Sequence, residues 1–423
     1  MPVCFQSAAL CRLPLRNPCL RAMLGHGGIA VAFMRRGLRI VCWGVVALAA
    51  GCSSAPDKAL LGAGPSTGSG RGPVSSPWFA AITNFSSFRT EVRQAGLEAI
   101  LTSPVLATPL AWDELVVSWN GNFPAGSGLT LEARAVGPGH TGRYFVLGRW
   151  ATDRVSQPRT SVPGQSDAEG EVRTDTLILK SLARNLQLRL TLRTSPHTKE
   201  RAQVRFLGLS FLERSAPEPE PGATDAAPLR AGWSQELPIP QRSQLSYKGG
   251  RDWCSPTSVS MVLAYWAGRL ERPELNCDVP EVAQGVFDPA WRGTGNWPFN
   301  MAFAGQFAGM RAYVTRLPSV RELEQFIAAG VPPILSVSFD LLHGKTEDRG
   351  GGHLVVCAGF TQEGDFVLND PWTLAGESVR RTVPRAQVLR AWARSRQTAY
   401  IIHPENWRIT IVQHPTLNVQ WAR

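Results

Sequence analysis

Between Trp78 and Glu213 apolar residues recur at every second position, a spacing that suits strands and excludes helices. In Asn185–Arg193, Leu186, Leu188, Leu190 and Leu192 share one face and polar groups take the other. Leu129–Ala135 repeats the pattern, and Glu114–Trp119, Tyr144–Trp150, Thr174–Leu179 and Val204–Phe211 are further strand candidates, separated by turn clusters such as Asn120–Asn122 and Pro163–Asp167. Strands with one wet face predict an all-β, antiparallel sandwich over residues 78–213. Trp112, Trp119 and Trp150 leave two readings open. They are core, or they form a platform for carbohydrate contact, so the unit is either structural and positioning or sugar-binding. His140 and His197 sit in polar turns with no cysteine or carboxylate at ligand spacing.

The pattern changes after a proline-rich run. Residues 214–232, including Ser215–Pro228, read as an extended, semi-rigid linker. The second unit, 233–405, begins with helical segments such as Ser258–Trp266 and Val320–Ala329. It then carries strands at Ile334–Phe339, His353–Phe360, Phe366–Asn369 and Ala399–Ile402. Helices packed on a later antiparallel sheet predict an α+β fold, followed by a C-terminal tail over 406–423.

Before residue 52 the chain carries six arginines and no Asp or Glu, which accounts for much of the formal net charge of +11. The rest has no Lys/Arg block, so no nucleic-acid partner is expected. Residues 1–51 read as a signal region with a start at Met34: a basic opening is followed by an apolar run from Ile40 to Ala50. That run is shorter than the roughly 20 residues a spanning helix needs. Its ending, Leu48-Ala-Ala-Gly-Cys52, resembles a bacterial lipobox, although Ala49 stands where a branched aliphatic residue is usual. The resemblance implies acylation at Cys52, a membrane contact through that anchor, and an exported lipoprotein of the bacterial cell envelope. Residues 52–77, rich in Gly, Ser, Pro and Ala, would be a flexible tether.

The chemistry lies in the second unit. In Asp252-Trp-Cys-Ser-Pro-Thr-Ser258 and the apolar residues beyond, Pro256 suits the first turn of a helix and Gly268 its end. Cys254 then sits at the helix N-terminus, where free N–H groups favour a thiolate nucleophile. Such a nucleophile needs an imidazole and a group to orient it. His353 opens the strand His353–Phe360, and a return strand ends at Asn369-Asp-Pro371. With a four-residue turn at 361–364, Asp370 pairs opposite Val355 and lies diagonal to His353 on one face. A bulge of one residue would move it to the other face.

The segments Trp253-Cys-Ser-Pro-Thr-Ser258, Gly352-His-Leu-Val-Val356 and Asn369-Asp-Pro371 resemble, in this order, cysteine peptidase family thirty-nine. That family includes the bacteriocin double-glycine leader peptidases and belongs to the papain-like superfamily. The resemblance covers about residues 236–405. It implies a papain-like domain with Cys254 as nucleophile, His353 as general base and acid, and Asp370 as the orienting acid. It also implies a glutamine before the cysteine that helps bind the oxyanion, for which Gln244 is the choice and Gln241 the reserve. Ser255 departs from the glycine usual after the cysteine, and no transporter module accompanies the domain, so leader processing is not implied.

His343, His403 and His414 read as exposed. Cys277 and Cys357 could form a bridge. No two His or Cys residues have metal-site spacing, so no cofactor is called for. The sequence therefore points to an envelope-anchored thiol hydrolase acting on a peptide or peptidoglycan-peptide substrate. An acyl transferase with the same triad and a non-catalytic peptide- or wall-binding module are the alternatives.

Overall fold

A computed structural model describes residues 77–153, 157–217, 230 and 232–409, all within one compact unit. The signal region, Cys52, His414 and most of both linkers lie outside the described residues. Among the described residues, no helix is long and apolar enough to cross a membrane.

The first half contains β1 (Trp78–Ile82), β2 (Arg89–Arg93), β3 (Glu98–Thr102), β4 (Leu106–Asn122) and β5 (Gly128–Gly137). There follow β6 (His140–Thr141), β7 (Phe145–Trp150), β8 (Gly170–Arg173), β9 (Thr176–Arg193) and β10 (Gln203–Leu212). All their pairings are antiparallel, but the expected sandwich of two separate sheets is instead one curled sheet. The reason is β9, which changes neighbours along its length. At residues 176–178 it lies between β4 and β8, and at residues 189–193 it lies between β3 and β5. Its alternation buries Leu186, Leu188 and Leu190 completely. Trp112, Trp119 and Trp150 are at most 1% exposed, so they are core and offer no platform to a carbohydrate.

The second half contains β11 (Gln235–Glu236), α1 (Cys254–Leu270), α2 (Val279–Val286), α3 (Trp297–Ala304), β12 (Met310–Arg316), α4 (Val320–Ala328) and β13 (Ile334–Ser338). It continues with α5 (Phe339–Leu342), β14 (Gly352–Phe360), β15 (Phe366–Asn369), β16 (Arg380–Val383), α6 (Arg385–Ala393) and β17 (Thr398–Pro404). The strands form an antiparallel sheet in the order β12-β17-β13-β14-β15-β16, with β11 added on β14. Helix α1 runs two residues past Gly268, and Glu271, in a left-handed conformation, ends it. Its buried side chains meet the sheet through Trp266 Nε1, which donates to Ile402 O at 2.8 Å, and Ser258 Oγ, which donates to Leu354 O at 3.1 Å.

The two halves share one apolar core. Strand β12 is an edge strand, and polar side chains of β4 satisfy its free backbone groups. Asn120 Nδ2 donates to Ala312 O at 2.7 Å, while its Oδ1 accepts from Ala312 N at 2.9 Å. Ser118 Oγ accepts from Val314 N at 2.9 Å. An open strand edge would otherwise invite pairing with another chain. Beside it, Phe299 of α3 packs edge-on against Trp119 and Trp150.

Candidate active site

Cys254 is the first residue of α1, whose N-terminal N–H groups have no partner within the helix. Trp253 caps the helix through its carbonyl, which accepts from Thr257 N at 2.9 Å. Ser255 is buried behind the cysteine, with Oγ 3.0 Å from Tyr400 Oη. The side chain that follows the nucleophile position is therefore anchored to β17 and turned away from the cleft.

His353 stands near the start of β14 and is buried. The loop between β14 and β15 is one residue longer than the four-residue turn assumed from sequence, since Phe360 pairs with Phe366. A bulge between Cys357 and Gly359 takes that residue up again, so Val356 pairs with Asn369. Asp370 follows on the face of His353, and His353 Nε2 lies 2.7 Å from Asp370 Oδ1. The opposite face takes Asn369, whose Nδ2 donates to the carbonyl oxygens of Ile239 and Pro240.

The second ring nitrogen of His353 is left for Cys254, whose sulfur is near enough to act on the charge of the ring. Burial works against the imidazolium, but the hydrogen bond to Asp370 and the nearby Cys254 outweigh it and raise the ring to about 9. Burial likewise works to raise the Asp370 carboxyl. His343, His353 and Arg381 outweigh it, and hold Asp370 well below the usual carboxylate range.

His343 is the residue that sequence reasoning placed at the surface. It follows the one-turn helix α5, where Nδ1 lies 2.7 Å from Phe339 O, and its Nε2 lies 3.2 Å from Asp370 Oδ2. A carbonyl only accepts, so Nδ1 carries a proton. The contact to the carboxylate becomes a hydrogen bond only when Nε2 carries one as well. Both facing atoms are buried and otherwise lack a hydrogen-bond partner, with Arg381 Nη1 3.5 Å from the same oxygen. The available signal was local: Ser338 caps a single turn, accepting from Leu341 N, and Gly344 follows it.

Gln244 lines the same cleft as Cys254 and His353, which measures about 830 Å³ and is rimmed by Trp291, Trp297 and Trp372. Its Nε2 donates to Gly250 O at 3.0 Å and Arg251 O at 2.6 Å, and its Oε1 is buried without a partner. Gln241, the reserve, accepts instead from Arg380 N at 3.1 Å on its Oε1. Cys277 and Cys357 are both free and buried, so the bridge left open by the sequence is not made, and burial pushes each thiol up to about 12. His403 is buried rather than exposed, and burial lowers its ring to about 4. His140 and His197 are exposed.

Residues 236–400 match the family model described as Peptidase_C39 like family. The second half is a C39-like cysteine peptidase domain. Residues 89–211 match a separate model, Peptidase C39 N-terminal domain, so each half is matched by its own model. No curated protein and no solved structure matches the chain.

Proposed function

We propose that the chain is an envelope-anchored cysteine hydrolase that cleaves peptide or amide bonds through Cys254, His353 and Asp370. The observation that supports this reading is the contact of His353 Nε2 with Asp370 Oδ1 at 2.7 Å, in an open cleft that the helix-start cysteine also lines. The Cys254 sulfur, its proton passed to His353, adds to the carbonyl carbon of the scissile bond. The C–N bond then breaks as His353 returns that proton to the leaving amine, which leaves a thioester. Water, deprotonated by His353, hydrolyses the thioester and restores the thiol. The Cys254 backbone N–H supplies one oxyanion donor. Gln244 supplies the second by exchanging one of its two carbonyl partners for the developing charge. Asp370 fixes the ring, and His343 and Arg381 position Asp370. Anchoring through Cys52 rests on the lipobox-like ending alone.

The test is labelling of the full chain with a peptidyl chloromethyl ketone, beside Cys254→Ala. Covalent labelling at Cys254 and loss of turnover in the variant are expected. Undiminished turnover in Cys254→Ala would overturn the reading. For the anchor, Cys52→Ser should move the protein from the membrane to the soluble fraction, since acyl chains alone would hold it. A variant still in the membrane fraction would show another attachment.

A further inference from the structure

The strand-rich half reaches the catalytic cleft at one point, the two-residue turn between β8 and β9. Arg173 pairs with Thr176, and the turn residues Thr174 and Asp175 both have positive φ, 45° and 64°. This is the conformation of a type I′ hairpin, for which Asn-Gly is the favoured pair. A β-branched threonine at positive φ is a genuine outlier, and such strain persists only where the surroundings enforce it. Asp175 does the enforcing. Its side chain is fully buried and accepts from Asn296 Nδ2 at 2.7 Å. Asn296 in turn caps α3, accepting from Phe299 N at 3.3 Å, and donates to Asp288 Oδ2 at 3.1 Å. The turn is thus tied to the loop that carries Trp291 and leads into Trp297. The anchor points inward while Thr174 is exposed, and Thr174 and Thr176 line the same cleft as Cys254 and His353.

We propose that Thr174 and Thr176 form a substrate subsite, so that the strand-rich half sets the specificity of the cleft for an extended peptide. This rests on the cysteine hydrolase reading. A single amide group would need only the surroundings of Cys254. A cleft of about 830 Å³ with two hydroxyls on one side and tryptophans on its rim suits a peptide several residues long. Threonine hydroxyls offer both a donor and an acceptor to its backbone, and Trp291, 47% exposed, offers an apolar face to a side chain.

The test uses the full chain, iodoacetamide as a small alkylator, and chloromethyl ketones bearing one residue or three. Thr176→Arg should lower the rate with the tripeptidyl reagent at least tenfold and leave the iodoacetamide rate within twofold. Thr174→Gly suits the positive φ, so it should fold at least as stably as wild type, yet lose severalfold on the tripeptidyl reagent alone. If Thr176→Arg fails to fold, Thr174→Gly decides. Tripeptidyl rates within twofold of wild type in the folded variants would overturn the subsite while leaving the hydrolase reading standing. A wild-type protein alkylated by iodoacetamide but by neither peptidyl reagent would overturn both.

Discussion

Three groups that carry or can carry positive charge converge on Asp370: His353 at 2.7 Å, His343 at 3.2 Å and Arg381 at 3.5 Å. A buried carboxylate so surrounded stays ionised, and it can hold His353 in one orientation through a turnover. Replacing Asp370 with alanine should therefore lower kcat by about 10²–10⁴-fold, as loss of an orienting acid does. Asp370→Asn should be milder, because an amide oxygen still accepts from the ring. Removing His343 leaves Asp370 the hydrogen bond from Trp372 N, at 3.0 Å, and the contacts with His353 and Arg381. His343→Ala should then cost roughly tenfold, a small part of what one catalytic group supplies. His343→Gln, whose amide can donate to Oδ2, should recover part of it. Equal rates for wild type and His343→Ala would remove His343 from the positioning set. The ring of His353 titrates near 9, so hydrolysis should decline as pH rises through that value and the imidazolium that protonates the leaving amine disappears. His353 and Asp370 were legible in the sequence because strand periodicity fixes which residues share a face. His343 was not, because a residue following a single helical turn owes its direction to tertiary packing rather than to a repeat.

The hairpin of β14 and β15 shows how an element can be read correctly for an incomplete reason. The turn length assumed from sequence was one residue short, and the bulge at Cys357–Gly359 offsets it, so that Asp370 still follows on the face of His353. Bulges are hard to see in a sequence because the extra residue keeps the apolar character of its strand. Here the sign is Gly359, where an added Cβ would lie 1.9 Å from the backbone oxygen of Gln235 on β11. Gly359→Ala should push β11 off the sheet edge and cost a few kcal/mol, in the range of a backbone clash in a packed core. A drop in thermal midpoint of several degrees would be the sign of it, while an unchanged midpoint would mean that β11 shifts freely. The helix of Cys254 was legible from Pro256 and the apolar run, but its end was not. Gly268 looks like a stop signal, yet packing carries the helix on to Leu270, with Glu271 taking the left-handed position.

At the scale of the whole molecule the sequence suggested two units on a linker, whereas side chains of one half complete the other. Asn120 read as a turn residue and Ser118 as part of a strand, and nothing local says that their partners are Ala312 and Val314, or that Asn296 meets Asp175. Residues 233–409 expressed alone should expose the edge of β12 and self-associate, which sedimentation would detect. A monodisperse, folded fragment would show that the edge needs no cover. Asp175 gives the interface a dependence on pH. Burial raises its carboxyl to about 7, with Asp288 adding to the rise and Asn296 and Ser161 opposing it. The folded chain then holds this proton through a range in which the unfolded chain, titrating near 3.8, has released it. The folded state binds more protons than the unfolded one between those values, so stability falls as pH rises from about 4 to 7 and changes no further above. Asp175→Asn cannot ionise and can still accept from Asn296, so it should lose this dependence. At pH 8 it should be the more stable protein by on the order of 1–4 kcal/mol. Glu322, also raised to about 7 by burial, titrates in both proteins and drops out of the comparison. Urea midpoints at pH 5 and pH 8 measure the difference: wild type should lose stability between them by more than Asp175→Asn does. Equal losses would place the proton on another group and leave the contact between Asp175 and Asn296 without a role in pH response.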